Sequence, residues 1–140
     1  MIYCVFLGPF KDSRLAGLAE DYQKRLKRLW PVTVVEIEES QAKLEKWAAP
    51  KKNKGDFVSL DPDGESMDSP RFAGWTTSSP RDLYFLAWGA EGPLPLNGVR
   101  FSRSLSLSAM TYSHEIARVL LMEQLYRAGA VLRGHPYPRQ

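Results

Sequence analysis

The chain has 140 residues, of which 44% are hydrophobic and 25% are charged, and its formal net charge is +3. This length suits one domain, residues 1–140, and the ordinary composition leaves no segment that has to be disordered. No window approaches the roughly 18 apolar residues that a membrane span requires, and the amino terminus lacks a signal-peptide pattern, so we expect a cytoplasmic protein.

Two short apolar runs near the amino terminus indicate strands, with a helix between them. Residues 2–7 (IYCVFL) and 32–37 (VTVVEI) are rich in β-branched and aromatic side chains. Between them, apolar residues recur at spacings of three and four, which predicts an amphipathic helix capped by Asp12 or Ser13. The apolar positions of that helix are Leu15, Leu18, Ala19, Tyr22, Leu26 and Leu29. Cys4 lies inside the first run and is predicted to be a buried, unreactive thiol.

The middle of the chain continues this alternation of strands and helices. Residues 57–60 and 83–88 predict strands, and residues 41–48 predict a short helix. A further helix is expected to start with Ser69 as its cap and to run through residues 72–75. The order of elements, with several strands apolar on both faces, predicts an α/β fold in which helices cover both faces of an open parallel sheet.

The sequence LSLSAMTYSH, residues 105–114, fits neither a strand nor a helix, and it precedes the longest apolar helical pattern in the chain. Ser113 is the predicted cap of that last helix. Apolar side chains occupy nearly all sides of residues 116–130, which a chain of this size is not expected to cover alone, so we expect a homodimer. Glu123 and Arg127 are four residues apart and should pair, either as an interface salt bridge or in a functional role.

Basic residues occur in three groups, which fits an anionic partner such as nucleic acid but equally fits solvated helix and loop surfaces. The groups are Lys24, Arg25, Lys27 and Arg28, then Lys51, Lys52 and Lys54, then Arg133 and Arg139. The chain has 1 cysteine and 2 histidines, which are few ligands for a structural metal site, so no metal is expected.

Three loops could form one ligand pocket, because ligands of open parallel sheets bind at the carboxyl ends of the strands. They are LDPDG (60–64), WGAEGP (88–93) and LSAMTYSH (107–114). None contains a dinucleotide or P-loop fingerprint, and the serines lack a nucleophile-elbow frame, so nucleotide-triphosphate, NAD and hydrolase chemistry are disfavoured. Asp61 and Asp63 are interpreted as turn residues.

The carboxyl-terminal third, residues 105–140, resembles the ribosomal RNA large subunit methyltransferase H family, SPOUT-class enzymes that use S-adenosylmethionine. The most specific part is LSAMT followed by SHEIARVLLMEQLYRA, and VSLDPDG, GAEG and DYQKRLKRL also match in order, so the resemblance spans nearly the whole chain. It implies an α/β fold whose carboxyl-terminal segment forms a trefoil knot, an exception to the usual unknotted topology. It also implies a homodimer that methylates N3 of a pseudouridine in helix 69 of 23S rRNA on the assembled ribosome.

The resemblance also implies which residues form the site. Those assigned to S-adenosylmethionine are Leu60, Gly89, Leu107, Ser108, Ala109, Met110, Thr111 and Tyr112. The backbone of the loop would hold the adenine edge while Leu107 and Met110 cover the ring, and the serines and threonine would satisfy exposed backbone groups at the bend. In the tail, Tyr137 would orient or stack on a base, and Arg139 and Arg133 would hold RNA phosphates.

Two positions depart from the family pattern. Trp88 stands where the family has the first of two glycines, and Pro138 stands where it has a tail histidine. Proline has no group that accepts a proton, and His135 is the candidate replacement. Two alternatives therefore stay open: a noncatalytic ribosome- or RNA-binding SPOUT homologue, and a SPOUT methyltransferase with another RNA target.

Overall fold

The computed structural model describes residues 1–137, in which five β-strands and four α-helices follow one another along the chain. The strands are β1 (Ile2–Leu7), β2 (Val32–Ile37), β3 (Gly55–Ser66), β4 (Asp82–Ala87) and β5 (Phe101–Ser106). The helices are α1 (Ser13–Leu26), α2 (Gln41–Ala48), α3 (Ser69–Ser78) and α4 (His114–Leu132), with a short 3₁₀ turn at Ala49–Lys51.

The five strands form one parallel sheet in the order β2-β1-β4-β3-β5. Successive residues of β1 point to opposite faces: Cys4 and Phe6 join the core beneath α1, α3 and α4, whereas Val5 and Leu7 pack towards α2. Helices thus cover both faces, which confirms the predicted α/β fold and explains why the inner strands are apolar on both sides. Burial raises the pKa of the Cys4 thiol, as expected for an unreactive cysteine.

Side chains fix the starts of the first and last helices and join them. Asp12 caps α1 by accepting the backbone N–H of Arg14, and Ser113 caps α4 by accepting that of Ile116, as predicted. Glu115, in the first turn of α4, is buried and accepts the backbone N–H groups of Lys11 and Asp12. The bond from Asp12, followed by that from Lys11, lowers the pKa of Glu115 although burial opposes the shift. The amino-terminal ends of α1 and α4 are therefore held together.

Helix α4 is only partly covered within one chain. Within the helix, Leu121, Met122 and Leu125 are fully buried. In contrast, Ile116 is 40% exposed, Val131 60% and Leu132 51%. Apolar surface thus remains at both ends of α4. Within residues 1–137, none of the helices combines the length and apolarity needed to cross a membrane.

The predictions for the third strand and for the segment before the last helix were incomplete. LDPDG was predicted to be a loop, yet it lies inside β3, where residues 60–65 leave the regular register with β5 and Leu105 faces both Leu60 and Glu65. Within this irregularity the backbone N–H of Asp63 donates to Asp61 Oδ1 (2.9 Å), so these residues make a local hydrogen bond inside a strand and not in a loop. Strand β5 was not predicted, because serine and arginine fill four of its six positions. Pairing with β3, which is distant in sequence, holds it in place.

The boundaries of two helices also differ from expectation. Asp68, not Ser69, caps α3 by accepting the backbone N–H of Arg71 (2.9 Å), and the helix continues to Ser78. A carboxylate one residue earlier occupies the cap position, which leaves Ser69 as the first helical residue. Leu29, predicted to end the first helix, lies in the turn after it.

Candidate cofactor pocket

A pocket opens at the carboxyl ends of β3, β4 and β5, next to the start of α4. Its volume is about 170 Å³, or about 690 Å³ when the space of the open mouth is included. Six of the eight residues assigned to the cofactor by resemblance line it, namely Leu60, Gly89, Leu107, Ser108, Met110 and Tyr112. Ala109 and Thr111 belong to the same loop but are exposed and are not among the lining residues.

The loop of residues 107–112 has a defined conformation because its serines bond to its backbone. Ser106 Oγ donates to the carbonyl oxygen of Ser108 (2.7 Å), and Ser108 Oγ accepts the backbone N–H of Met110 (3.0 Å). The expected role of the serines at this bend is thereby confirmed. Met110 is 73% exposed and Tyr112 42%, so both stand at the mouth of the pocket.

Other lining residues were not assigned individually, although Pro93 and His114 belong to two of the loops that were predicted to form the pocket. His114 and Ala117 come from the first turn of α4, and Pro93 comes from the connection that follows β4. The signal that would have found His114 is its place at the start of a helix whose preceding loop was already assigned to the site.

Trp88 borders the pocket, but its ring packs into the core. The side chain is 6% exposed, its Nε1 donates to Ser59 Oγ (2.8 Å), and the indole meets the ring of Phe101 edge-on. This places the indole in the apolar cluster beside α2. Trp88, at the position where the resemblance predicts a glycine, is therefore accommodated on the face of the sheet that α2 covers.

The described part of the tail folds back onto α4. The Tyr137 hydroxyl donates to Glu123 Oε2 (2.5 Å), and the ring centroids of Tyr137 and Tyr126 are 4.8 Å apart. Arg127 Nε lies 2.6 Å from Glu123 Oε2, which confirms the predicted ion pair, and the guanidinium lies 5.3 Å from the Tyr137 ring centroid. Glu123 thus links the tail to the helix.

Within one chain, the tail and the pocket are at different places along α4. Ala117 lines the pocket, whereas Tyr137 packs against Tyr126, about 13 Å further along at the helical rise of about 1.5 Å per residue. His135 is exposed, and its Nδ1 accepts the backbone N–H of Tyr137 (3.2 Å). One chain therefore does not bring Tyr137 or His135 into the pocket, and Arg139 and Pro138 lie outside the described residues.

The Tyr137 phenol should titrate unusually late. Burial, followed by the hydrogen bond and the negative charge of Glu123, raises the pKa of Tyr137 to about 12, compared with about 10 for a free tyrosine. A raised folded-state pKa means that this contribution to stability is complete below about pH 10 and is lost as the pH rises towards 12. Ultraviolet titration should show one tyrosine that ionises late. Tyr137→Phe should remove this late ionisation, and Glu123→Gln should move it to lower pH. If its midpoint stayed unchanged in Glu123→Gln, the assigned contact would be contradicted.

Several of the basic residues make local contacts. Two pairs join successive turns of α1, Lys24 with Glu20 (3.4 Å) and Arg25 with Asp21 (3.0 Å). Arg133 Nε donates to the carbonyl oxygen of Leu29 (2.6 Å) and so ties the end of α4 to the turn after α1. Exposed pairs of this kind add little stability and leave the positive surface accessible to an anion.

Comparison with known proteins agrees with this fold and pocket. The family described as "Predicted SPOUT methyltransferase" matches residues 1–138. A protein of Solibacter usitatus named "Ribosomal RNA large subunit methyltransferase H" is 40% identical over 141 residues, covering 99% of both chains. Proteins of the same name from Gemmatimonas aurantiaca and Coprothermobacter proteolyticus are 38% and 33% identical, covering 94% and 97% of both chains respectively. The resemblance seen in the sequence is confirmed, and the chain belongs to the ribosomal RNA large subunit methyltransferase H family of SPOUT methyltransferases.

Proposed function

We propose that this chain transfers a methyl group from S-adenosylmethionine to N3 of a pseudouridine in helix 69 of 23S rRNA, in the assembled ribosome. It would act in the cytoplasm as a homodimer of single-domain chains, residues 1–140, each with a trefoil-knotted carboxyl-terminal segment. The observation that carries this proposal is the pocket at the carboxyl ends of β3, β4 and β5, which gathers six of the residues assigned to the cofactor. The names of the relatives support ribosomal RNA as the substrate class.

The lining of the pocket offers S-adenosylmethionine both apolar surface and hydrogen-bonding groups. Leu60, Leu107 and Met110 provide apolar surface for the adenine ring, and the backbone of residues 107–112 provides hydrogen-bonding groups for its edge. The bound cofactor supplies an electrophilic methyl group on a sulfonium. The protein aligns that group with the target nitrogen and keeps water away through its apolar wall.

A homodimer would bring the tail to this pocket. Ile116 is exposed near the pocket end of α4, and Val131 and Leu132 are exposed near its tail end. If two copies of α4 pack antiparallel about a two-fold axis, the tail end of one helix lies beside the pocket end of the other. Tyr137, His135 and Arg139 of one chain would then face RNA bound at the pocket of the second chain.

Transfer of labelled methyl from S-adenosylmethionine to intact ribosomes that lack the modification tests the proposed function. We expect label on the helix 69 pseudouridine in ribosomes and much less on free 23S rRNA. Label on a different nucleotide would favour a SPOUT methyltransferase with another target.

The noncatalytic alternative predicts cofactor or ribosome binding without label. Pro138→His in the same assay separates an impaired enzyme from a binding protein, because restored histidine raises turnover only where the rest of the site is catalytic. A binding protein would show no label before or after this change.

A further inference from the structure

The connection between β4 and β5 is held by two glutamates, one just before α2 and one within it. Glu39, between β2 and α2, accepts the backbone N–H of Glu91 through Oε2 (2.8 Å). Glu45, in α2, accepts the backbone N–H of Asn97 through Oε2 (2.5 Å). The first contact falls in the glycine loop, residues 89–92, and the second lies further along the connection.

The glycine loop borders the pocket, whereas Glu39 stands behind it. Gly89 and Gly92 line the pocket, and the backbone N–H of Gly92 donates to the carbonyl oxygen of Gly89 (3.0 Å), which closes a tight turn. Glu39 is not among the lining residues. Its hydrogen bond to the backbone of Glu91 therefore holds the turn on the side away from the pocket, whereas Gly89 and Gly92 face the ligand.

The carboxylate of Glu39 fills the space between the ends of β1 and β4. A Cβ at Gly89 would lie 2.6 Å from both Glu39 Oε2 and the carbonyl oxygen of Leu7. The same Leu7 oxygen accepts a hydrogen bond from Nη2 of Arg118 (2.7 Å), a residue of α4 that is 0% exposed. The Glu39 carboxylate is among the negative charges that act on the Arg118 guanidinium. Packing and charge thus keep the carboxylate beneath the glycine loop.

We propose that Glu39 is a positioning residue of the cofactor pocket, which holds the glycine loop in the conformation that accepts S-adenosylmethionine. This inference rests on the proposed function. Glu39 acts through the backbone of residue 91 and does not touch the ligand. What Glu39 must supply is a hydrogen-bond acceptor at the position of Oε2, so a glutamine can replace it and an alanine cannot.

Calorimetric titration with S-adenosylhomocysteine, the product form of the cofactor, tests this role. Loss of a hydrogen bond to a charged group should weaken binding by about tenfold or more in Glu39→Ala. Glu39→Gln keeps an acceptor oxygen and should bind within about threefold of the wild type. Glu45→Ala is the matched control, because it releases the same connection at Asn97 and should leave the affinity unchanged.

The outcomes separate this inference from the proposed function. If the wild type binds and Glu39→Ala binds equally well, the positioning role alone is overturned. Equal weakening of binding by Glu39→Ala and Glu45→Ala would overturn it too. A glutamine variant as weak as the alanine variant would overturn it as well. No binding by the wild type would overturn the proposed function and this inference with it. If Glu39→Ala does not fold, Glu39→Asp keeps the charge, withdraws the oxygens from Glu91, and should show the same weakening.

Discussion

Replacement of Gly89 by alanine should lower the rate of methyl transfer by about a hundredfold and weaken the binding of S-adenosylhomocysteine. The added Cβ would lie 2.6 Å from the carbonyl oxygen of Leu7, whereas an ordinary van der Waals contact of a Cβ is 3.4–4 Å. The Leu7 oxygen is backbone at the end of an inner strand, and Arg118 donates a hydrogen bond to it. The glycine loop, which is the freer partner, must therefore move by about 1 Å towards the pocket, and a misplacement of that size can cost about a hundredfold in rate.

The measurement is single-turnover methyl transfer to ribosomes together with calorimetric titration of S-adenosylhomocysteine. Gly74→Ala is the matched control, because an added Cβ at this exposed position of α3 meets no atom within 4 Å. That variant should keep the wild-type rate and affinity. If Gly89→Ala also kept them, the close approach of the glycine loop to β1 would have no role in shaping the pocket.

Local signals in the sequence were sufficient to predict β1, β2 and the starts of α1 and α4. Residues 2–7 and 32–37 are apolar runs with sharp limits, and their predicted bounds agree with the strands observed. Asp12 and Ser113 are short polar side chains placed directly before helical patterns, which is why both caps were identified. In each case a few neighbouring residues determine the structure.

The elements that were missed depend on contacts between distant residues. Strand β5 has the sequence FSRSLS, whose serines favour strands weakly, and it is extended because β3 pairs with it. The irregularity in β3 likewise arises from this pairing, since Leu105 faces both Leu60 and Glu65. No periodicity in residues 57–66 signals such a bulge.

The candidate site shows the same limit. The meeting of three loops at one pocket was predicted from the strand order, whereas the individual cofactor residues were assigned by resemblance; the sheet order places residues 60, 89 and 107 around this pocket. Glu39 was not predicted to be a site residue. It reaches the backbone of residue 91 only because β1 lies between β2 and β4 in the sheet. The contact between Tyr137 and Glu123 also requires the tail to turn back on its own helix.

Alanine at Gly129 should destabilise the fold by about 1–3 kcal/mol, whereas alanine at Gly17 should stabilise it by about 0.5–1 kcal/mol. Both glycines are inside helices, α4 and α1, where alanine is intrinsically favoured by about 1 kcal/mol. A Cβ at Gly129 would lie 2.4 Å from Cδ1 and 2.6 Å from Nε1 of Trp30. A Cβ at Gly17 meets no atom within 4 Å, so only the intrinsic preference acts there.

Trp30 has little freedom to move away from residue 129. Its ring is 8% exposed, and its Nε1 donates to the carbonyl oxygen of Leu125 (3.0 Å) one turn earlier in α4. Displacing the indole would strain the packing of α4 against the turn after α1 and break this bond, whose loss costs about 1 kcal/mol, so the penalty exceeds the gain in helix propensity.

Urea unfolding of both variants at one fixed protein concentration measures the two effects, since association of chains would make the apparent stability concentration-dependent. Opposite shifts of the midpoint at unchanged slope are expected. If Gly129→Ala were as stable as Gly17→Ala, Trp30 could move without lowering the free energy of unfolding. Glycine at 129 would then not be required for α4 to pack against the turn after α1.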